Sequence, residues 1–384
     1  MRDKADVVVV GAGVMGTALA HALARDGAGV VLLEARTVGA GTSTHTFAWL
    51  NATSKHDDAD YHRLNAAGMA RHRALARAFG DERVGLGGAG MLAWSGNGDG
   101  AALERLASQH AHLEALGYPS RWLNAAELAA LEPHARIPED AAGLFALADG
   151  WVDGATLTGF LAERVRALGG EVREGAPVRA LETDRRGRVR SVACEGGGIE
   201  TSAVVLAAGP ETGELMASLC GDAAADYPMR RVAGLLLETP NLAPWRWLRH
   251  VHYANCFGEL HMRPTHRNTL LLGAEDLDAS IATDDSQRAI AAGARTMLER
   301  LRRYLPDFPH DVTAERCTPL VGVRPMPADG LPIVGPVPWM EGLNVVTTHS
   351  GMTLALLLGD LLAEELVTGK MPEMLAPYRF DRFL

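Results

Sequence analysis

Three glycines and one carboxylate carry the first recognisable chemistry of this chain: Gly11, Gly13 and Gly16 in the run Gly11-Ala12-Gly13-Val14-Met15-Gly16, and Glu34 beyond it. The run follows Asp6-Val7-Val8-Val9-Val10 and opens a helix-like segment that ends near Arg25, which is the strand, turn and helix of a dinucleotide-binding unit. Gly11 permits the tight turn, Gly13 lets backbone approach a pyrophosphate, and Gly16 lets the helix pack closely on the strand. The phosphates then meet the positive end of a helix. A second strand, Gly29-Val30-Val31-Leu32-Leu33, ends at Glu34, placed to accept hydrogen bonds from an adenosine ribose and to repel a 2′-phosphate. Another glycine run, Gly85-Leu86-Gly87-Gly88-Ala89-Gly90, follows a charged helix-like stretch instead of a strand and reads as a loop.

Other chemistries find little support. Cys194, Cys220, Cys256 and Cys317 lie far apart without a CxxC pair, so neither a zinc site nor a disulfide framework is implied; no metal is expected, and reducing cytoplasm is the expected location. A net charge of −10 and the lack of a basic run argue against a nucleic-acid partner. The apolar stretch 7–20 has the glycine motif at its centre, and 352–362 is broken by Asp360 and followed by Glu364 and Glu365, so neither reads as a membrane segment. At 384 residues, 47% of them apolar, the chain can bury about two cores.

The elements that must position these residues follow from periodicity. Residues 60–79, 101–116 and 155–168 recur with helical period, and 124–131 is a short helix capped by Asn124 with Glu127 three residues on. Asp149-Gly150-Trp151-Val152-Asp153 reads as a turn. Short strands are expected at 171–173 and 177–181, a hairpin over 189–201, and a buried strand at 203–208 ending at Gly209. Between 227 and 316 the pattern alternates as antiparallel strands do at 231–238, 250–254, 259–263 and 269–273, then gives a long helix over 284–305. Strand and helix return at 342–346 and 352–366. The expected architecture is therefore α/β: a discontinuous Rossmann-type nucleotide domain over 1–85, 145–220 and 317–384, and an α+β substrate domain with an antiparallel sheet over 86–144 and 221–316.

Taken in order, residues 11–16 with Glu34, then Gly41-Thr42-Ser43, then 204–209, then Gly322-Val323-Arg324-Pro325-Met326-Pro327-Ala328-Asp329-Gly330-Leu331-Pro332-Ile333-Val334-Gly335, resemble the D-amino-acid oxidase superfamily and its glycine oxidase and sarcosine oxidase branches. The resemblance covers nearly the whole chain, and the last stretch is its most specific element. It implies FAD, with the pyrophosphate on the first helix, the adenosine ribose on Glu34 and the isoalloxazine under the 41–48 loop. The cofactor contacts it assigns are Gly11, Gly13, Val14, Met15, Gly16, Glu34, Ala35, Arg36, Thr42, Ser43, Thr44, Val178, Ala208, Gly209, Ser350, Gly351, Met352 and Thr353. The last four begin the C-terminal helix, whose positive end would stabilise an anionic reduced flavin. Thr347-Thr348-His349-Ser350-Gly351 departs from the superfamily's GHG turn, and His349 is either a cap or a flavin contact.

The resemblance also implies the catalytic candidates. Arg324 matches the arginine that holds a substrate carboxylate, although it could instead pair with an acid such as Asp329. His261 stands where several relatives carry a tyrosine, and of His252 and Tyr253 only one can face inward. His45 sits where one branch attaches its flavin covalently, but its neighbours do not match that branch; the sarcosine oxidase cysteine falls at Gly322, so noncovalent FAD is expected.

The implied reaction is oxidation of the C–N bond of an amine or amino acid by hydride transfer to flavin N5, giving an imine, with O2 or another acceptor reoxidising the flavin. The rivals are a flavin monooxygenase, another FAD- or NAD-dependent dehydrogenase, and a flavoprotein without turnover. The late Gly-Asp pair that monooxygenases use, here Gly359-Asp360, falls inside a helix.

Overall fold

Val7–Val10, four consecutive valines, form a fully buried strand near the middle of a six-stranded sheet. In the computed structural model, which describes residues 3–221, 226–254, 256–281 and 287–384, the order across this sheet is Ile333–Pro336, Leu343–Thr347, Val204–Leu206, Val7–Val10, Val30–Leu33 and Glu171–Arg173. All neighbours run parallel except the antiparallel edge strand Ile333–Pro336. Parallel strands buried on both faces need helices over them. Val14–Arg25 supplies one, packed against Gly154–Ala167 and Gly351–Thr368. A Cβ at Gly359 would stand 2.9 Å from the backbone of Ala18, so the first and last of these helices meet backbone to backbone.

The second large sheet has eight strands, ordered Thr318–Pro327, Met229–Glu238, Leu270–Gly273, Leu260–Pro264, Val251–Ala254, Met91–Ser95, Ala142–Ala146 and Ser120–Asn124. It is antiparallel apart from the parallel pair Val251–Ala254 and Met91–Ser95. Met229–Glu238 and Thr318–Pro327 pair over ten residues, with Arg324 opposite Val232. Helix Gln287–Tyr304 covers this sheet with Ile290, Met297, Leu298 and Leu301; residues 284–286, where this helix was expected to begin, lie outside the described residues. The mixed α/β architecture expected from sequence is the one observed. The specific Gly322 to Gly335 stretch serves both sheets, because its first half is an edge strand of the eight-stranded sheet and its end an edge strand of the six-stranded one.

Residues 149–153 are not simply a turn. Gly150–Val152 is the central strand of a small third sheet, flanked by Trp49–Leu50 and Leu86–Gly87. Leu86–Gly87 belongs to the second glycine run, which is therefore part strand. Its glycines make room for rings: a Cβ at Gly87 would stand 2.3 Å from the Trp151 indole, and one at Gly90 2.4 Å from the Phe145 ring. Asn124 caps Ala125–Leu131 through a capping box with Glu127, as its spacing predicts. All four cysteines are free thiols. Among the described residues no cluster of potential metal ligands occurs, and no helix is long and apolar enough to cross a membrane.

Candidate active site

The first glycine turn is built for close backbone approach. Gly11 has φ +104°, and a Cβ there would lie 2.6 Å from Ala207 O. A Cβ at Gly16 would lie 1.8 Å from Gly11 O, so the helix contacts the turn directly. Gly13 occupies the N-cap without a side chain to satisfy the first turn, and Ser43 Oγ accepts from Val14 N at 2.9 Å. Glu34 is held at the end of its strand by two backbone donors, Ala12 N to Oε2 and Arg36 N to Oε1, each at 2.8 Å.

A cavity of about 900 Å³ runs from this turn to the eight-stranded sheet. It is lined by Glu34, Ala35, Arg36 and Val178, and by Gly11, Gly13, Val14, Met15, Thr42, Ser43, Ala208 and Gly209. Ser350, Gly351, Met352 and Thr353 line it where helix Gly351–Thr368 begins. Two expected contacts do not reach it: Gly16 serves helix packing, and Thr44 turns its hydroxyl back to Gly39 O at 3.0 Å and Gly41 O at 3.3 Å. The 41–48 loop presses on the strand that carries Arg324, since Thr42 Oγ1 donates to Val323 O and a Cβ at Gly322 would stand 2.0 Å from His45 O.

Helix Gly351–Thr368 has no side-chain cap at Ser350, whose hydroxyl instead pairs with Tyr61 OH at 2.8 Å. His349 is not a cap; it lines the cavity, and burial, with Lys55 and Arg324 nearby, lowers its pKa to about 4. Behind the helix start, His72 is buried, its pKa lowered to about 4 by desolvation, and its neutral ring donates through Nε2 to Met352 O at 2.7 Å.

Arg324, His261 and His45 all line the same cavity. Arg324 does not pair with Asp329, which binds Arg382 instead; its Nη2 donates to Asp278 Oδ2 at 2.6 Å, and Asp278 Oδ1 accepts from Leu235 N at 3.0 Å. The Arg324 Nε–H is buried without an acceptor among the described residues, as is His261 Nδ1. Desolvation, with Arg324 adding to it, lowers the His261 pKa to about 3, so this imidazole is neutral at working pH. It fits because residue 273 is glycine: a Cβ there would stand 2.1 Å from His261 Nε2. Its ring stacks on Tyr253 at 5.1 Å and meets the edge of Phe47 at 4.6 Å. Tyr253 is the inward-facing member of its strand pair. His252 faces away, where its Nε2 donates to buried Glu132 at 3.0 Å.

Several lining groups had no sequence signal. Lys55, Trp49, Glu275 and Asp278 reach the cavity from segments with no motif. Burial raises the pKa of Asp278, and burial together with Glu259 raises that of Glu275. Glu132 shows no period or motif either, yet its carboxylate accepts from His250 N at 3.1 Å, His250 Nδ1 at 2.6 Å and His252 Nε2. These histidines hold its pKa down, to about 2, against the opposing effect of burial.

A helix N-terminus on a glycine turn, a carboxylate locked at the end of the next strand and a long cavity with a second helix start fit a dinucleotide cofactor that ends in a planar ring. The chain belongs to the FAD dependent oxidoreductase family (DAO), whose model matches residues 6–365. It is similar to glycine oxidase of Geobacillus kaustophilus, at 27% identity over 100% of this chain and 98% of that protein. The crystal structure of glycine oxidase from Geobacillus kaustophilus superposes with a TM-score of 0.83 at 25% identity, covering all of both chains. The structure of L-amino acid deaminase from Proteus myxofaciens in complex with anthranilate shares the fold, with a TM-score of 0.83 at 21% identity over 100% of this chain and 94% of that one.

Proposed function

We propose that this FAD-dependent oxidoreductase oxidises the C–N bond of a small amine or amino acid. One observation carries the reading: Arg324, His261 and Tyr253 line the same cavity as the glycine turn and Glu34, with His261 stacked on Tyr253. FAD bound along it supplies the acceptor for a hydride from the carbon beside the substrate nitrogen. The chain's residues do the rest. Glu34 would hold the adenosine ribose, the Val14–Arg25 helix start and Ser43 would hold the pyrophosphate, and the Gly351–Thr368 helix start would stabilise negative charge on the reduced ring. Arg324 offers a substrate carboxylate the exposed part of its guanidinium while Asp278 fixes Nη2. Neutral His261 offers a hydrogen bond without adding charge, and Phe47, Trp49 and Tyr253 keep water from the reacting carbon. No step needs a protein base when the amine binds neutral.

Noncovalent attachment is supported by Gly322, which has no thiol, and by His45, whose Nδ1 is engaged with Gly41 O at 3.2 Å and Thr44 Oγ1 at 3.0 Å. Acid precipitation should leave the yellow colour in the supernatant; a yellow pellet refutes this. The six-stranded sheet is the proposed cofactor side and the eight-stranded sheet the substrate side, with Thr318–Pro327 assigned to the latter by its pairing. Four free cysteines are consistent with the proposed cytoplasmic location.

The decisive experiment is anaerobic mixing of the yellow protein with glycine, sarcosine, proline and D- and L-amino acids. Bleaching by at least one supports the proposal, and the failure of every amine to bleach the flavin removes it. Repeating the positive reaction in air, and then with an artificial acceptor, assigns O2 or another oxidant.

A further inference from the structure

The substrate end of the cavity is walled by a row of rings. Trp49 lies against Tyr253 at 4.6 Å with planes 34° apart, and Tyr253 stacks on His261 at 5.1 Å and 14°. Phe47 meets the edges of both Tyr253, at 6.4 Å, and His261, at 4.6 Å. Two of these rings stand on neighbouring strands of the eight-stranded sheet, where Tyr253 and His261 face each other in register. Trp49 comes from the small sheet, and besides the Tyr253 ring its indole N–H has a partner of its own. That partner is Asp149, a carboxyl 3% exposed, whose Oδ2 accepts from Trp49 Nε1 at 3.0 Å. Its other oxygen, Oδ1, is bound by the buried hydroxyl of Tyr118, which follows helix Gly100–Ala115.

We infer that Asp149 is a positioning residue for the substrate chamber: through Trp49 it sets the orientation of the ring row Trp49, Tyr253 and His261 against which a substrate lies. This rests on the proposed function, because it is the reading of that end of the cavity as a substrate chamber that gives the row its role. The carboxyl does not line the cavity and so acts only through the indole. An indole N–H buried in a wall needs an acceptor, and a carboxyl held from its far side by Tyr118 gives that acceptor one place to be. The charged and titratable groups around it are few: Tyr118 itself, Arg73, which donates to Ala148 O, and His62, whose ring meets the edge of Tyr118 at 5.0 Å. None of these replaces the bond to Trp49.

The test uses FAD-loaded protein and benzoate, a planar carboxylate suited to Arg324 and to a ring wall, followed through its perturbation of the flavin absorbance. Asp149→Asn keeps an acceptor for Trp49 and a partner for Tyr118, and should bind benzoate within about twofold of the parent, since both hydrogen bonds survive. Asp149→Leu removes both and should raise the benzoate Kd roughly tenfold, with KM for whichever amine bleaches the flavin rising alongside and FAD content unchanged. Should the leucine variant fail to fold, Tyr118→Phe removes one support of the carboxyl and should raise Kd roughly threefold. A merely structural role would lower Tm in these variants and leave Kd and the kcat-to-KM pattern alone, and that result overturns the inference. A parent protein that takes up no flavin brings down the proposed function and this inference together; a yellow parent that responds to benzoate, beside an Asp149→Leu protein that responds identically, brings down this inference alone.

Discussion

A Cβ placed on Gly16 would stand 1.8 Å from the carbonyl oxygen of Gly11, so the first helix of the chain rests directly on the turn that precedes it. No rotamer relieves this clash, because both partners are backbone. Gly16→Ala must push the helix start away from the sheet and from the cavity. The expected outcome is protein that purifies largely colourless, with a loss of about 2 kcal/mol or more in stability, typical of a steric insertion at a packed site. Flavin absorbance per mole and thermal melting check both halves.

Arg324 presents a fork of which Asp278 holds one tine. Arg324→Ala should cost about 2–5 kcal/mol of binding for a carboxylate substrate, roughly 30-fold or more in KM, and an amine without a carboxylate should be much less affected. Arg324→Lys keeps the charge and loses the planar geometry, so it should recover only part of the affinity. Steady-state kinetics on a matched acid and amine pair separates these outcomes.

Asp149 gives a pH signature in stability. Burial raises its pKa to about 7, above the ordinary carboxyl value, so the folded state holds its proton where the unfolded state has released it. Its contribution is present in full below the unfolded pKa and is lost as pH rises toward 7, with a slope of at most about 1.4 kcal/mol per unit. Asp149→Asn should therefore flatten the fall in Tm between pH 4 and 7. A parent and variant with parallel profiles would contradict this.

Glu132 gives the opposite sign. Its folded pKa, near 2, lies below the ordinary value, so its contribution is present above the unfolded pKa and disappears as pH falls toward 2. Glu132→Leu leaves the buried His250 and His252 without their acceptor and should destabilise by about 3 kcal/mol at neutral pH. The difference in Tm between parent and variant should shrink steadily in acid.

How far these features could be read from the chain depends on how local their causes are. The glycine turn and the capping box at Asn124 are short-range devices, in which a few neighbouring residues determine the geometry, and each takes the form its spacing predicts. The strand Gly150–Val152 is a different case. It exists because Trp49–Leu50 and Leu86–Gly87 come from far along the chain to pair with it, and because Trp151 needs the flat ground of Gly87 and Gly88; a window of five residues containing Asp and Gly shows only a turn. Arg324 likewise finds its acid 46 residues away at Asp278, not at nearby Asp329. Lys55 and Glu275 reach the cavity through packing alone, and isolated charges in surface-like segments carry no mark of that destination.

The contact between Ala18 and Gly359 has a consequence for what the protein will accept. Two helices touching without an intervening side chain lie as near as their backbones allow, and the leading ends of both open onto the same cavity. Their separation is a fixed gauge, cut before any cofactor arrives. A molecule is measured against it along its whole length, so a flavin lacking its adenylate half can satisfy one end of the gauge and must leave the other untouched.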